Sequence, residues 1–183
     1  ILKQLIANDI PVLIRTLLYP DKDYAHYRVI KGFDDAAGVF IQNDSLEGKN
    51  LRFAYDDFVA LWKPFNYEYL VIATPEKKRI IDAILGADAD EKNAWQNAVR
   101  LAELELEAHP EDMYSRLNLS VSLFYGGEFE RAVAEFKRVE RLLPTRALWY
   151  RLEPIQAYFE TGDYETVFSL TQKIINDGNR GYA

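Results

Sequence analysis

His26 and Asp44 are the two residues of this sequence best placed to do chemistry together. His26 opens a β-prone run, residues 25–33, and Asp44 closes a second one, residues 39–44; the turn formers between the runs predict a β-hairpin. Pairing that is symmetric about Asp35 makes the two side chains face each other, and a two-residue change of register leaves them diagonal neighbours within reach. A histidine oriented by a carboxylate is two-thirds of a nucleophilic triad. The sequence therefore predicts a base and its orienting acid, with the nucleophile still to be found.

The elements around this hairpin predict an α+β domain whose strands have mainly antiparallel neighbours. Apolar periodicity and stop signals give an N-terminal helix, a short buried strand, the hairpin, a short extended piece, an amphipathic helix and a last strand. These predicted elements are residues 1–10, 11–16, 25–44, 51–53, 55–62 and 67–73.

The hairpin carries a motif, His-Tyr-x-Val-x-x-Gly-Phe-Asp-Asp from His26, followed by a turn glycine, an apolar strand and Asn43-Asp44. Over residues 2–73 this arrangement resembles the second half of papain-like cysteine peptidases, most closely the bacteriocin-leader (double-glycine) peptidase-like domain of bacteria. The resemblance implies that His26 is the base and Asp44 its orienting acid, with Asn43 as a second choice for that acid. It also implies a cysteine nucleophile and an oxyanion-hole glutamine on an N-terminal segment that this sequence does not contain. The family's Asp-Pro is replaced here by Asp44-Ser45.

A structural interpretation of the same residues stays open. His26 could bind a nearby carbonyl, and Asp44 could cap its own turn. The two acidic pairs, residues 34–35 and 56–57, fall at turn and cap positions, which favours turn chemistry over paired carboxylates. With only two histidines in the chain, a metal site has little support, and we expect no cofactor.

Charge and cysteine content exclude several function classes. Residues 1–86 hold 11 basic and 12 acidic side chains, and residues 87–183 hold 11 and 17, which places most of the net charge of −7 in the second half. An acidic second half argues against a nucleic-acid partner. The sequence has no apolar run long enough to cross a membrane. It has no cysteine, so the chain as given should be inactive as a cysteine peptidase.

The second half of the sequence follows a repeat of about 34 residues. Trp95, Phe129 and Tyr164 recur at spacings of 34 and 35, and the turns Gly127-Glu128 and Gly162-Asp163 recur 35 apart. This pattern resembles the tetratricopeptide repeat, a stack of paired helices. Such arrays bind peptides or proteins on a concave face, although a purely structural spacer remains the alternative. The resemblance places the following candidate partner-binding residues on that face: Arg116, Asn118, Ser122, Tyr125, Gln156 and Tyr158.

The sequence thus predicts an antiparallel-sheet half of a papain-like fold followed by an all-α tetratricopeptide array. The predicted divisions are a peptidase-like domain (1–74), a connecting helix and linker (75–90) and a repeat domain (91–183). Three functions remain open: a cysteine-peptidase-like hydrolase, a non-catalytic protein-interaction module, and a scaffold that assembles through sheet edges and repeat ends. Because Ile1 lies in a helical pattern and the array lacks a polar capping helix, we expect more chain at both ends. Resemblance to exported bacterial proteins favours an extracytoplasmic location.

Overall fold

The computed structural model describes residues 1–144 and 146–178. The chain divides into two compact units, residues 1–90 and 91–183, and each unit is described below by itself. Among the described residues, no helix is both long enough and apolar enough to cross a membrane. The predicted lack of a capping helix concerns the last five residues, which lie outside the described part of the chain.

The first unit is built on a five-stranded sheet in which every neighbouring pair of strands is antiparallel. The order across the sheet is β4-β3-β2-β1-β5. This sheet, followed by helices, confirms the predicted α+β class. The strands are β1 (Val12–Leu17), β2 (Ala25–Asp34), β3 (Val39–Asp44), β4 (Gly48–Ala54) and β5 (Tyr69–Val71).

The core of this unit lies on one face of the sheet, under helices α1 (Leu2–Ala7) and α2 (Tyr55–Trp62). Alternate residues of the central strands point into it, as the two-residue period of a strand requires. A third helix, α3 (Lys78–Leu85), adds Ile81 and Ile84 at the edge. The fully enclosed apolar side chains are Leu5, Ile10, Val12, Ile14, Ile30 and Phe58.

A β-bulge at Lys31 shifts the register within the hairpin. On the turn side of the bulge, Gly32 pairs with Ile41. On the far side, Ile30 pairs with Gln42 and Arg28 pairs with Asp44. One extra residue on β2 therefore separates the turn from the end of the hairpin that carries His26.

The last two strands differ from their predicted lengths. β4 begins at Gly48, before the predicted residues 51–53, because a tight turn returns the chain directly against β3 and pairs Gly48 with Asp44. β5 is shorter than the predicted residues 67–73, because Asn66 and Tyr67 have φ angles of 55° and 53°. Two successive residues with positive φ lie outside the β region and interrupt the extended chain, and β5 begins at Tyr69.

The second unit is entirely helical among its described residues. Its core consists of apolar side chains from successive helices, including Leu117, Val121, Ala132 and Phe136. Pro154 lies in the first turn of its helix, where the missing amide hydrogen breaks no helical hydrogen bond. The helices are α4 (Glu91–Ala108), α5 (Met113–Tyr125), α6 (Phe129–Lys137), α7 (Ala147–Tyr150), α8 (Glu153–Glu160) and α9 (Tyr164–Gly178).

Two turns of this unit repeat the same geometry 35 residues apart. Gly127 and Gly162 have φ angles of 77° and 79°. The amide after each glycine donates to a carbonyl five residues earlier, at 2.9 Å in both turns (Glu128 to Leu123 and Asp163 to Tyr158). The left-handed conformation ends one helix and lets the next begin, which explains the glycine at both places.

Candidate active site

His26 and Asp44 meet at one end of the sheet. His26 Nε2 lies 2.9 Å from both Asp44 Oδ1 and Asp44 Oδ2. Because Asp44 pairs with Arg28 in the register, His26 and Asp44 are diagonal neighbours on β2 and β3. This is the second of the two registers considered from the sequence, and the diagonal separation is within reach of the two side chains.

The carboxylate of Asp44 is held on several sides. Its side chain has 0% exposure, and Oδ1 accepts hydrogen bonds from the amides of Leu46 (2.7 Å) and Glu47 (3.0 Å). Burial by itself raises the pKa of Asp44, but the hydrogen bonds from Glu47, Leu46 and His26 outweigh burial and leave the pKa below its usual value. Asp44 is thus an ionised acceptor that faces His26.

The imidazole of His26 has one engaged and one open nitrogen. A carboxylate can only accept, so Nε2–H donates to Asp44 and the proton is assigned to Nε2. Within the described residues, Nδ1 has no hydrogen-bond partner, and the side chain is 18% exposed. Nδ1 therefore carries a lone pair that can take a proton from an approaching group.

Arg28 is the member of this cluster that sequence reasoning missed. Its Nε lies 3.2 Å from Asp44 Oδ2, which makes an ion pair without the geometry of a hydrogen bond, and the residue is 1% exposed. The other two guanidinium nitrogens donate to the carbonyls of Leu17 and Leu18, each at 2.8 Å, and to the hydroxyl of Thr16. One signal was available: Arg28 stands two residues after His26, so it shares the inward face of the strand.

The structural interpretation of these residues accounts for part of the site. Asp44 does cap its own turn through Leu46 and Glu47, as that alternative required. The same carboxylate also contacts His26, whose recorded hydrogen bonds go to Asp44 and to no carbonyl among the described residues. The turn and the histidine contact therefore use one side chain. Asn43, the second choice for the acid, instead accepts a hydrogen bond from the amide of Asn50.

The acidic pairs near the hairpin have structural contacts. Asp34 accepts from Arg52 at 2.7 Å, and Asp35 accepts from Tyr55 at 2.7 Å and pairs with Lys3. In the described part of the chain, no group of three or more His, Cys, Asp or Glu side chains could hold a metal ion.

The six residues predicted to bind a partner fall into two groups. The side chains of Asn118, Ser122 and Tyr158 are buried inside the helical unit, at 1%, 0% and 1% exposure. Burial leaves these three without access to a partner, because the inner surface of α5 and α8 is occupied by packing. The remaining three reach the surface at least in part: Arg116, which pairs with Glu135 at 2.7 Å, Tyr125, which stacks on Trp95 with centroids 4.0 Å apart, and Gln156.

Comparison with known proteins found a family model that matches most of the first unit. Residues 1–70 match the model of the Peptidase_C39 like family. The match supports a C39-like peptidase domain in this part of the chain, and it contains both His26 and Asp44. Neither a curated protein nor a solved structure matched the chain.

Proposed function

We propose that the first unit is the base-bearing half of a cysteine-peptidase-like hydrolase. The proposal rests on the contact of His26 Nε2 with Asp44, which leaves Nδ1 available to accept a proton. His26 is the general base and Asp44 orients it. The chain has no cysteine, so the thiol belongs to a cysteine outside these 183 residues.

The proposed chemistry follows from the open nitrogen. Nδ1 takes the proton of the thiol, and the thiolate attacks the peptide carbonyl to give a tetrahedral intermediate. The protonated imidazole then donates its proton to the leaving amine as the C–N bond breaks, and water releases the acyl group in a second step. The buried carboxylate of Asp44 stabilises the imidazolium that forms between these proton transfers.

Affinity labelling of the natural protein that contains this chain tests the proposal. We expect an electrophilic peptide probe to label one cysteine, and we expect His26→Ala to abolish labelling. Arg52→Met, which removes an exposed ion pair with Asp34, serves as a matched control and should label normally. If no cysteine of the natural protein is labelled in a way that depends on His26, the proposal is wrong. The 183-residue chain alone should show no turnover.

A second candidate function is a non-catalytic protein-interaction module, and the helical unit favours it. We propose that this unit is a tetratricopeptide array that binds a protein partner. The recurring turns at Gly127 and Gly162 support a true structural repeat. So do the equivalent ring contacts, Phe124 with Phe129 at 5.6 Å and Phe159 with Tyr164 at 5.4 Å.

The repeat also indicates which surface would receive the partner. Val133 of α6 is 8% exposed, whereas its equivalent 35 residues later, Phe168 of α9, is 68% exposed. Helix α8 packs on α6, with Tyr158 against Phe136 at 6.2 Å between centroids. The outer face of α9 therefore presents the kind of surface that α6 buries under a neighbouring helix.

Quantitative pull-down with the whole chain tests this second function. We expect a protein partner retained by the wild type to be lost from the variant Phe168→Glu. Leu46→Glu, at a site 66% exposed in the first unit, is the control and should retain it. Equal recovery by all three chains would contradict binding at α9.

A further inference from the structure

We propose that Arg28 is a positioning residue that fixes the carboxylate of Asp44 in the orientation His26 needs. The inference rests on the proposed roles of His26 as base and Asp44 as orienting acid. It assigns to Arg28 a task that neither the turn nor the histidine performs.

Both oxygens of Asp44 lie 2.9 Å from His26 Nε2, but their other partners differ. Oδ1 is fixed by the backbone amides of Leu46 and Glu47. Oδ2 faces Arg28 Nε at 3.2 Å and His26 Nε2 at 2.9 Å. Without Arg28, the described residues leave only His26 on Oδ2. The side-chain torsions of Asp44 would then be free to move Oδ2 relative to the imidazole.

Arg28 can hold Oδ2 because its own position is fixed from the opposite side. The terminal nitrogens of the guanidinium donate to Leu17 and Leu18 carbonyls at 2.8 Å each, and to the Thr16 hydroxyl. These acceptors belong to the end of β1 and the loop after it, whereas Asp44 ends β3. The planar fork of an arginine spans the two strands on either side of β2, which a lysine ammonium cannot do.

The position that Arg28 gives to Asp44 also determines which ring nitrogen of His26 carries the proton. Arg28 and Asp44 form an ion pair whose side chains have 1% and 0% exposure. The pKa of Asp44 lies below its usual value, so the carboxylate beside Arg28 is ionised, and an ionised carboxylate is an acceptor only. When it is neutral, the His26 ring must therefore present Nε2–H toward Asp44, which leaves Nδ1 without a proton. Arg28 thus acts on the imidazole through Asp44, by selecting one of its two neutral tautomers.

Nitrogen-15 NMR of the imidazole rings in the 183-residue chain tests the proposal. The chain has two histidines, His26 and His109, so a His109→Gln background leaves a single ring to observe. At alkaline pH we expect two well-separated ring nitrogen signals in the wild type, because one tautomer dominates. In Arg28→Met we expect the signals to move toward each other, because the tautomers exchange.

Two further variants keep the result interpretable. Arg28→Lys retains the charge and should stay folded if Arg28→Met does not; it should still lose the single-tautomer pattern. Arg52→Met removes a surface ion pair on the same hairpin and should keep the pattern. A folded Arg28→Lys or Arg28→Met chain with the wild-type pattern would overturn the positioning role. If Arg28 only stabilises the fold, its loss does not mix the tautomers of the molecules that remain folded. The wild-type NMR pattern would then persist in the variants.

The outcome is separable from that of the proposed hydrolase. The NMR measurement needs neither a cysteine nor turnover. A natural protein without a reactive cysteine removes the hydrolase proposal but leaves the tautomer result of Arg28 intact. Conversely, normal His26-dependent labelling together with an unchanged pattern in the Arg28 variants removes only the positioning role.

Discussion

His26 and Asp44 lie on neighbouring strands and two positions apart in register, yet both carboxylate oxygens of Asp44 are 2.9 Å from His26 Nε2. The diagonal placement leaves the position directly opposite Asp44 to Arg28. A base, an acid and a cation therefore occupy one corner of the sheet.

Asp44→Asn should lower the free energy of unfolding by about 3 kcal/mol at neutral pH, because it leaves the buried Arg28 without its counter-charge. The pKa of Asp44 is lower in the folded chain than its ordinary 3.8. The ionised Asp44 therefore contributes its full amount to the free energy of unfolding above pH 3.8. This contribution is lost as the pH falls through the lower pKa of the folded chain. Urea unfolding of the wild type and of Asp44→Asn should show that the difference between their free energies of unfolding becomes smaller below about pH 4.

The control for this prediction is Asp9→Asn. Asp9 is exposed and has a φ angle of 56°, which asparagine tolerates. Its unfolding curve at neutral pH should follow the wild type, in contrast to that of Asp44→Asn. A constant gap between Asp44→Asn and the wild type down to pH 2 would contradict the role of the ionised carboxylate.

Gly162→Ala should destabilise the helical unit by roughly 1 kcal/mol, because alanine must adopt the left-handed φ of 79° at this turn. An added β-carbon meets nothing within 4 Å, so the cost comes from the backbone alone. Gly162→Asn should lose less, because asparagine enters this region more readily. Thermal unfolding of the three chains measures the difference, and equal losses in both variants would argue against a backbone origin.

Asp163→Ala should cost about 1 kcal/mol by removing the cap of α9. The Asp163 carboxylate accepts from the Thr166 amide at 3.1 Å and from the Thr166 hydroxyl at 2.9 Å, and these bonds lower its pKa. Asp163→Asn keeps an acceptor and should retain most of the stability in chemical denaturation. A wild-type midpoint for Asp163→Ala would show that the cap contributes nothing.

Gln42→Met should leave the free energy of unfolding unchanged or raise it by up to about 1 kcal/mol. Gln42 is 0% exposed, and within the described residues neither its amide nitrogen nor its amide oxygen has a hydrogen-bond partner. Replacing a buried amide by an apolar group of similar size removes a desolvation cost. Gln42→Ala, which leaves a cavity, should instead lose about 2 kcal/mol. A loss above 1 kcal/mol in Gln42→Met would show that the amide is bonded in solution.

Local patterns in the sequence were sufficient for the hairpin and for the helix at residues 55–62, whose predicted bounds the structure reproduces. Both depend on residues close in the chain. The extent of β4 and β5 was less accessible, because it depends on pairing with distant strands and on the positive φ of Asn66 and Tyr67. Amino-acid composition reveals neither the pairing of distant strands nor a positive φ angle.

The site was predictable in part for a similar reason. His26 and Asp44 could be paired because the hairpin joins them through a short turn. The role of Arg28 depends on carbonyls at the end of β1, and no motif connects those residues. In the helical unit, period alone placed Asn118 and Ser122 on a binding face; both are buried because other helices pack over α5.

The bulge at Lys31 decides which residue of the Asn43-Asp44 pair serves His26. Counted outward from the turn, where Asp34 pairs with Val39, an unbroken ladder would set Asn43 opposite Ile30 and Asp44 opposite Val29. Asn43 would then share the inner face with His26 and Arg28, and Asp44 would point to the other side. A ladder in which Lys31 paired like its neighbours would thus exchange a carboxylate for a carboxamide beside the imidazole without altering either side chain. One unpaired residue in β2 therefore determines whether a carboxylate or a carboxamide lies beside His26.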